Sequence, residues 1–401
     1  MAATFDRLVA AVKQGSVDET RRILTNDPES RRRLDEPHPD LPFNSTVLLA
    51  AVRQKNRDLI DVLLDAGADI NVRSRWWAGG FGVLDGADES LVPFLIERGA
   101  NVDAHAAARL GRLDDLERLL SEKPELVHAR GGDGQTPLHF AANVEIATLL
   151  LECGADIDAI DVDHEGTSAQ YMVRDRQDVA RYLVSRGART DVLLTAALGD
   201  LERTRQHLDR DPESINMTVS ERWFPKRNPR SGGIIYIWTL GGDKSAHAVA
   251  REFGHDEVLD LLLQRSPATL QLAEAASMGD EGRVRDLIAG APNLVAELSD
   301  EQRARLVHAA KRNDASAVRL MLRAGWPVGV RSEGTTALHW AGFHGNADMA
   351  RELLKSNAPL DVRDDQHHGT PLDWAEHGST HGWYCRTGDY AGTLELLRSR
   401  S

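Results

Sequence analysis

The sequence has 401 residues, of which 48 are Lys or Arg and 62 are Asp or Glu, so its formal net charge at pH 7 is −14. With 41% hydrophobic residues, the chain can bury a large core and does not belong to the disordered class. The acidic balance excludes nucleic acid as the main ligand, because phosphate binding requires a basic face and no run of five basic residues occurs.

The first residues and the cysteine content indicate the compartment. Residues 1–8 enter an amphipathic pattern without an apolar leader, and no stretch approaches the roughly 18 apolar residues of a membrane span. The two cysteines, Cys153 and Cys385, are too few for a disulfide framework. We therefore expect a cytoplasmic protein that does not interact with membranes.

Short apolar runs that end in Gly-Ala recur along the chain. They occur at Gly67, Gly99, Gly154 and Gly187, and a similar run ends in Gly-Trp at Gly325. The intervals from Gly67 to Gly99 and from Gly154 to Gly187 are 32 and 33 residues. A fixed period of this length predicts a stack of helical repeats.

A second motif recurs in phase with the first. It reads Gly-Gln-Thr-Pro-Leu-His-Phe-Ala at 134–141, Gly-Thr-Thr-Ala-Leu-His-Trp-Ala at 334–341 and Gly-Thr-Pro-Leu-Asp-Trp-Ala at 369–375. Together with the Gly-Ala ends, these motifs resemble the ankyrin repeat family, in which Thr-Pro-Leu-His opens the inner helix of each repeat and Leu-Leu-x-x-Gly-Ala closes the outer one. The resemblance implies that the imidazoles of His139 and His339 bond the backbone between repeats.

The physical chemistry of the motif supports the same fold. Thr136 can cap a helix whose first position is Pro137, where a missing N–H costs nothing, and Gly154 can take the left-handed conformation that ends the partner helix. Each helical hairpin leaves one apolar face uncovered, so neighbouring hairpins have to stack. We expect an all-α ankyrin-repeat solenoid of about twelve helix-turn-helix units with finger-loop insertions.

Three insertions rich in Gly and Trp interrupt the repeats where ankyrin fingers project. They lie at 73–82, at about 215–243 and at 379–390. The middle insertion separates N-terminal repeats at 1–214 from C-terminal repeats at 244–401. We expect the two arrays to form one continuous solenoid with an aromatic, Gly-rich finger between them.

The tryptophans are concentrated in or beside these insertions. Aromatic residues make up only 5% of the chain, yet six of its eight Trp occur there, and Phe140, Tyr171, Trp340 and Trp374 share one position of the inner helix. Such residues either pack between helices and plug an irregular stack, or line a binding surface. The ligand-binding residues predicted on the second interpretation are Trp76, Trp77, Tyr171, Tyr236, Trp238, Trp340, Trp374 and Trp383.

Pairs of histidines and carboxylates supply candidates for acid–base chemistry. His164-Glu165 and His367-His368 precede Gly-Thr at equivalent fingertips, and imidazoles or carboxylates can transfer protons near neutral pH when partly buried. A fingertip Asp is also the ordinary turn residue, which bonds its own backbone. If the protein is an enzyme, the nominated residues are His164, Glu165, His368, Asp373 and His377.

Metal and cofactor chemistry have little support in the sequence. His377, His381 and Cys385 are spaced four residues apart, but Gly378 and Gly382 are expected to prevent a continuous helix there. No phosphate-binding loop, dinucleotide fingerprint or nucleophile elbow occurs. We therefore expect neither a metal nor a cofactor.

Two functions are compatible with these features. Ankyrin arrays mostly serve as interaction surfaces, so the resemblance implies a protein that recognises a protein partner through its concave face and finger loops. The alternative is a small-molecule or carbohydrate-binding protein, or an acid–base enzyme, with a cleft formed by the Trp- and Gly-rich insertions and the His-rich C-terminal repeats. The sequence leaves both interpretations open.

Overall fold

The computed structural model describes residues 2–399. Contacts divide the chain into two compact units. Unit 1 comprises the residues up to Leu198 together with Thr218–Lys244, and unit 2 comprises Gly199–Met217 and the residues from Ser245 onward. Most of the predicted insertion at 215–243 thus packs within unit 1.

Unit 1 consists of short helices joined by turns. Its α-helices are α1 (Ala2–Lys13), α2 (Val17–Asn26), α3 (Pro28–Arg32), α4 (Val47–Arg53), α5 (Arg57–Asp65), α6 (Val92–Glu97), α7 (Ala104–Arg109), α8 (Leu113–Glu122), α9 (Val144–Glu152), α10 (Ser168–Met172), α11 (Gln177–Ser185) and α12 (Val192–Leu198). Shorter turns of 3-10 helix lie at Pro42–Asn44, Glu89–Leu91, Pro124–His128, Gly132–Gly134 and Pro137–Phe140, and a π-helical turn lies at Ile237–Gly241.

Unit 2 repeats the same helix-pair arrangement. Its α-helices are α13 (Leu201–Arg210), α14 (Ala246–Glu252), α15 (Asp256–Arg265), α16 (Ala268–Ser277), α17 (Glu281–Gly290), α18 (Asp300–Lys311), α19 (Ala315–Arg323), α20 (Ala337–Phe343), α21 (Ala347–Lys355), α22 (Pro371–His381) and α23 (Tyr390–Arg398). A 3-10 turn lies at Pro212–Asn216, and a two-residue hairpin pairs β1 (Arg331–Ser332) with β2 (Thr335–Thr336) in antiparallel fashion. No helix within residues 2–399 is long and apolar enough to cross a membrane.

The inner helices of successive repeats pack closely because alanines lie between them. Ala107 of α7, Ala276 of α16 and Ala309 of α18 are fully buried, and α16, α18 and α20 contact one another in sequence. A side chain of one carbon lets two helix axes approach to the short end of the usual range of about 8–10 Å. Leucine and valine side chains of the outer helices then complete each core.

The glycines that close the outer helices behave as the motif predicts. Gly67, Gly99, Gly154, Gly187 and Gly325 have φ values between 92° and 104°, a left-handed conformation that costs a glycine nothing. They terminate α5, α6, α9, α11 and α19. The expected all-α architecture of stacked helix pairs is therefore confirmed within each unit.

Two repeats depart from a complete helix pair. Between α5 and α6, the described chain forms turns and the 3-10 segment Glu89–Leu91, because the insertion at 73–82 takes the place of an inner helix. After Thr136, the inner helix is only the 3-10 turn Pro137–Phe140. It cannot be longer because the next helix, α9, already begins at its N-cap Asn143, whose side chain accepts the Ile146 N–H (2.9 Å).

The predicted interruption at Gly378 is wrong. α22 runs through it from Pro371 to His381. A Cβ at Gly378 would lie 2.3 Å from the carbonyl oxygen of Phe343 in α20, so glycine here permits two helices to approach closely. The rings of His377 and His381 consequently stack one turn apart, with centroids at 4.8 Å.

The motif histidines bond backbone groups of two repeats, as the resemblance implies. Nδ1 of His139 accepts the N–H of Thr136 (3.1 Å), and Nε2 lies 3.2 Å from the carbonyl oxygen of Gly166 in the next repeat. His339 bonds the carbonyl oxygen of Gly369 at the same distance. Burial lowers the pKa of His139 to about 4, so this imidazole is neutral at physiological pH.

Replacing His139 with Gln tests the energetic role of this imidazole. An unfolded histidine protonates near 6.5 whereas folded His139 does so near 4, so the folded state loses stability as the pH falls through this window, by about 3 kcal/mol. Gln170 accepts the Thr167 N–H at the same motif position (2.9 Å), so Gln at position 139 can keep the bond to Thr136.

We expect urea unfolding to show a stability loss between pH 7 and pH 4 that is about 3 kcal/mol smaller in H139Q than in the wild type. All other titrating groups are shared by the two proteins, so the difference isolates His139. An identical pH dependence in both proteins would contradict the assignment.

Candidate functional site

Unit 2 gathers six of the predicted site residues around one cavity of about 620 Å³, which we call the aromatic cleft. α20, α22, the finger between α21 and α22 and the turn after α22 form its walls. The lining residues are Phe343, His367, Gly369 and the predicted Trp340, Trp374, Trp383, His368, Asp373 and His377.

Three indole rings and Phe343 form the apolar part of the aromatic cleft. Trp340 lies edge-on to Trp374 with centroids 5.1 Å apart and stacks on Trp383 at 6.1 Å, and Phe343 lies edge-on to Trp383 at 5.4 Å. Trp383 is 68% exposed. An exposed tryptophan beside two further indoles forms a contiguous apolar surface, which makes the aromatic cleft a candidate binding site.

Hydrogen bonds hold two of the indoles in place. Trp340 Nε1 donates to Thr335 Oγ1 (3.1 Å), and Trp374 Nε1 donates to Asp364 Oδ2 (3.0 Å). Burial disfavours the charged form of Asp364, but hydrogen bonds from the His367 N–H and the Trp374 indole outweigh it and lower its pKa to about 2. Asp364 therefore stays ionised and keeps the Trp374 ring fixed at the base of the finger.

Asp373 has a capping role in the aromatic cleft. Its Oδ2 accepts the N–H and the hydroxyl of Thr370, both at 2.7 Å, which completes the capping box of α22. These bonds from Thr370 lower the pKa of Asp373. Its carboxylate is thus an ionised structural group at neutral pH, while His367, His368 and His377 remain exposed at the rim.

The other seven predicted residues lie in unit 1, around the fingertip 161–166 and the insertion that packs on it. His164 Nδ1 lies 3.2 Å from the carbonyl oxygen of Gly233, and the Glu165 carboxylate accepts the N–H groups of Arg227 (2.9 Å) and Asn228 (3.0 Å). The two residues nominated for proton transfer thus dock the insertion through its backbone.

The predicted aromatic residues of unit 1 have different environments. Tyr236 is fully buried and donates to Asp191 Oδ2 (2.9 Å), so the structure places it in the core and not on a binding surface. The Trp77 ring lies 4.6 Å below the guanidinium of Arg230. Trp238 is 70% exposed, with its ring 6.2 Å from that of His164.

The aromatic position shared by the inner helices pairs with histidine. Phe140, Tyr171 and Trp374 each lie nearly perpendicular to an imidazole of the preceding repeat, and Trp374 also lies edge-on to Trp340. The pairs and their centroid distances are His105 with Phe140 (5.6 Å), His139 with Tyr171 (5.3 Å) and His339 with Trp374 (5.4 Å).

Sequence reasoning missed Asp133, which lies against the fingertip 161–166. The N–H groups of Val162 (2.8 Å) and Asp163 (3.2 Å) donate to its carbonyl oxygen. Burial raises the pKa of Asp133 to about 6; His164 and the nearby Trp76 indole N–H oppose this shift, whereas the charges of Asp163 and Asp161 add to it. The signal was present as Gly-Gly-Asp-Gly at 131–134, one fingertip before Asp163 and 30 residues away, close to the repeat period.

Stacked helix pairs with projecting fingers define a helical repeat protein. A family model described as ankyrin repeats (3 copies) matches residues 104–193, 242–364 and 306–380, and a single ankyrin repeat matches residues 43–75. The chain belongs to the ankyrin repeat family. Ankyrin repeats are generally protein-interaction modules, and membership supports a protein-binding role.

Curated relatives share only short segments with this chain. The serine/threonine-protein kinase VIK of Arabidopsis thaliana is 41% identical over 68 residues, which are 14% of this chain and 16% of the kinase. The palmitoyltransferase Hip14 of Drosophila melanogaster is 32% identical over 97 residues, 24% of this chain and 15% of that protein. The chain therefore spans about a sixth of the length of these relatives.

One solved structure similar to this chain is the human ASB11 ankyrin repeat domain. The alignment has a TM-score of 0.29 and 19% sequence identity, and it covers 74% of this chain and 97% of that domain.

The docking of the insertion in unit 1 can be tested with two glycines. A Cβ at Gly232 would lie 2.8 Å from the His164 ring, whereas nothing lies within 4 Å of a Cβ at Gly242. The added methyl group of G232A overpacks this contact and should destabilise the docked insertion by about 1 kcal/mol or more. We therefore expect trypsin to cleave G232A about fivefold or more faster than the wild type, after Lys226, Arg227 or Arg230. G242A should be cleaved at the wild-type rate, and equal rates in all three proteins would contradict the docking.

Proposed function

We propose that the protein recognises a protein partner by receiving one of its large apolar side chains in the aromatic cleft of unit 2. The observation that carries the proposal is the convergence of Trp340, Trp374 and Trp383 on a cavity of about 620 Å³. Leucine-sized to tryptophan-sized side chains fit such a volume. Family membership supports the class of partner.

The cleft has the physical properties of an interaction hot spot. Trp340 and Trp374 are held by hydrogen bonds to their own fingers, so a ligand does not have to order them, and the entropic cost of binding is reduced. Trp383 would lose its 68% exposure when the cleft is covered. Buried tryptophans are among the residues that contribute most at protein interfaces.

Polar groups at the rim suit an extended peptide segment. His367 and His368 are exposed on the finger beside the aromatic cleft, where neutral imidazoles can both donate and accept hydrogen bonds. The backbone of a partner segment needs both kinds of group once its side chain is inserted. We therefore propose that the finger contributes contacts alongside the helices.

A small aromatic or sugar ligand is the second candidate, and it would use the same cleft. The cavity of about 620 Å³ lies within the range of small-molecule sites, roughly 300–1,000 Å³. Its indole faces can stack on flat apolar ring faces. The two candidates differ in whether a peptide chain is required for binding.

Panning a phage-displayed random peptide library on the immobilised full chain tests the proposal. We expect enriched peptides to share one large apolar residue and to bind W383A at least about tenfold more weakly than the wild type, as expected for loss of a tryptophan at a hot spot. Binding of synthetic peptides can be followed by fluorescence polarisation. Because Trp383 is largely exposed, W383A should fold normally.

W238A is the matched control, because Trp238 is equally exposed, at 70%, but belongs to unit 1. Peptides that bind W383A and the wild type equally would refute the proposal, as would peptides whose binding depends on Trp238 instead. A thermal-shift screen of aromatic metabolites and sugars on the same variants tests the second candidate. If a small molecule stabilises the protein only when Trp383 is present, and no enriched peptide depends on Trp383, the small-ligand candidate is favoured.

A further inference from the structure

Two neighbouring fingertips of unit 1 bring three metal-ligating side chains together. Asp133, Asp163 and His164 each offer one ligand atom, and these atoms lie within 4.8 Å of one another. His164 Nε2 is 3.9 Å from Asp163 Oδ2. The bonds from Val162 N–H and Asp163 N–H to the Asp133 carbonyl oxygen hold the two fingertips in this register.

The remaining atoms of two of these side chains are already engaged. His164 Nδ1 lies 3.2 Å from the carbonyl oxygen of Gly233, so this nitrogen carries the hydrogen and Nε2 presents a lone pair. Asp163 Oδ1 accepts the N–H of Gly232 (3.0 Å), which leaves Oδ2 directed at His164. A backbone carbonyl that orients a histidine in this way is the usual outer shell of a metal-bound imidazole.

Asp133 supplies an independent indication of a ligand. It is only 9% exposed, and within residues 2–399 its buried Oδ1 forms no hydrogen bond of normal geometry; the Trp76 indole N–H is the donor near this carboxyl, and it lowers the pKa of Asp133 against the larger effect of burial. A buried carboxylate oxygen without a partner is costly and uncommon. One carboxylate oxygen of Asp133 lies within 4.8 Å of the ligand atoms of His164 and Asp163, so three acceptor atoms share one small region to which a cation would be attracted.

The turn itself does not require this set of side chains. Asp161 makes the turn, because its two carboxylate oxygens accept the N–H groups of His164 and Gly166, both at 2.7 Å. Asp364 bonds the equivalent groups in the corresponding finger of unit 2, where Gln366 stands in the place of Asp163. The same turn therefore forms without a carboxylate at that position.

We propose that Asp133, Asp163 and His164 bind one divalent transition-metal ion of the Zn²⁺ class. One imidazole and two carboxylates are a borderline ligand set that suits Zn²⁺ and its first-row neighbours better than Mg²⁺ or Ca²⁺. A tetrahedral ion with bonds of about 2.1 Å holds its ligand atoms about 3.4 Å apart, so small side-chain rotations close the site. The fourth position is left for water or a ligand.

A bound ion would connect the two fingertips of unit 1 to the insertion that packs on them. The two outer-shell groups, Gly232 N–H and Gly233 carbonyl, belong to the insertion, so an ion that orders His164 and Asp163 also stabilises the docked insertion. This site lies in unit 1 and is independent of the aromatic cleft, so either proposal can fail without the other.

Titration of the full-length protein with Zn²⁺, after removal of metals by a chelator, tests the proposal. We expect one equivalent to bind, and D133N and D163N each to weaken binding by at least about tenfold. Asparagine suits both positions, because Asp133 has φ 55°, which asparagine tolerates, and an amide oxygen can still accept the Gly232 N–H. Circular dichroism checks that both variants fold.

E165Q is the matched control, since it removes a neighbouring negative charge while its amide oxygen can still accept the bonds from Arg227 and Asn228. We expect its affinity to stay within about threefold of the wild type. H377A/H381A removes the stacked histidine pair of unit 2, which is a separate candidate for surface binding, and should leave the stoichiometric site intact.

Replacing Zn²⁺ with Co²⁺ adds a readout of geometry. A visible d–d absorption of four-coordinate Co²⁺ that disappears in H164A would support the proposed ligand set. The proposal would be overturned if the protein bound no stoichiometric Zn²⁺, or bound Mg²⁺ without Zn²⁺. It would also be overturned if D133N and D163N kept the wild-type Zn²⁺ affinity, or if E165Q or H377A/H381A lost Zn²⁺ binding.

Discussion

A helical hairpin of this kind leaves one apolar face uncovered, and the stacking that covers it determines where every fingertip lies. Alanines on the inner helices set a short spacing between repeats, so consecutive fingers contact one another. In unit 1 the Asp133 carbonyl oxygen accepts N–H groups from the next fingertip, and in unit 2 Arg331 bonds Asp365 one finger further on (2.6 Å). Residues about 30 positions apart thereby become immediate neighbours.

Most of the fold follows from local signals for the same reason. Gly154 and its counterparts Gly67, Gly99, Gly187 and Gly325 end the outer helices, because glycine takes the left-handed conformation at little cost. Tertiary contacts decide the exceptions. Helix propensity alone predicts that Gly378 interrupts α22. The helix is nevertheless continuous, and the closeness of the Phe343 backbone explains why the residue is glycine. The sequence pattern of one repeat does not show such a contact with a helix of the neighbouring repeat.

The two candidate sites likewise differ in how far local sequence patterns point to their residues. The uneven placement of tryptophan singled out Trp340, Trp374 and Trp383, which come from adjacent segments of one region and line the aromatic cleft together. Asp133 could not be found by looking for nearby partners in sequence, since its neighbours Asp163 and His164 belong to the following finger. Aligning fingertips by the repeat period would have placed these residues side by side.

The pairing of aromatic rings with histidines shows why one repeat position can serve two purposes. One edge of Trp374 packs against His339 of the preceding repeat, and its indole N–H bonds Asp364, so the ring is a structural element of the stack. Its other surface remains available to the aromatic cleft, because Trp340 and Trp383 lie around a cavity and do not fill it. Tyr171 makes the same contact with His139 in unit 1, where carboxylates and His164 occupy the neighbouring fingertips. The repeat supplies the same scaffold in both units, and the side chains beyond the shared ring decide whether the surface is suited to apolar groups or to a cation.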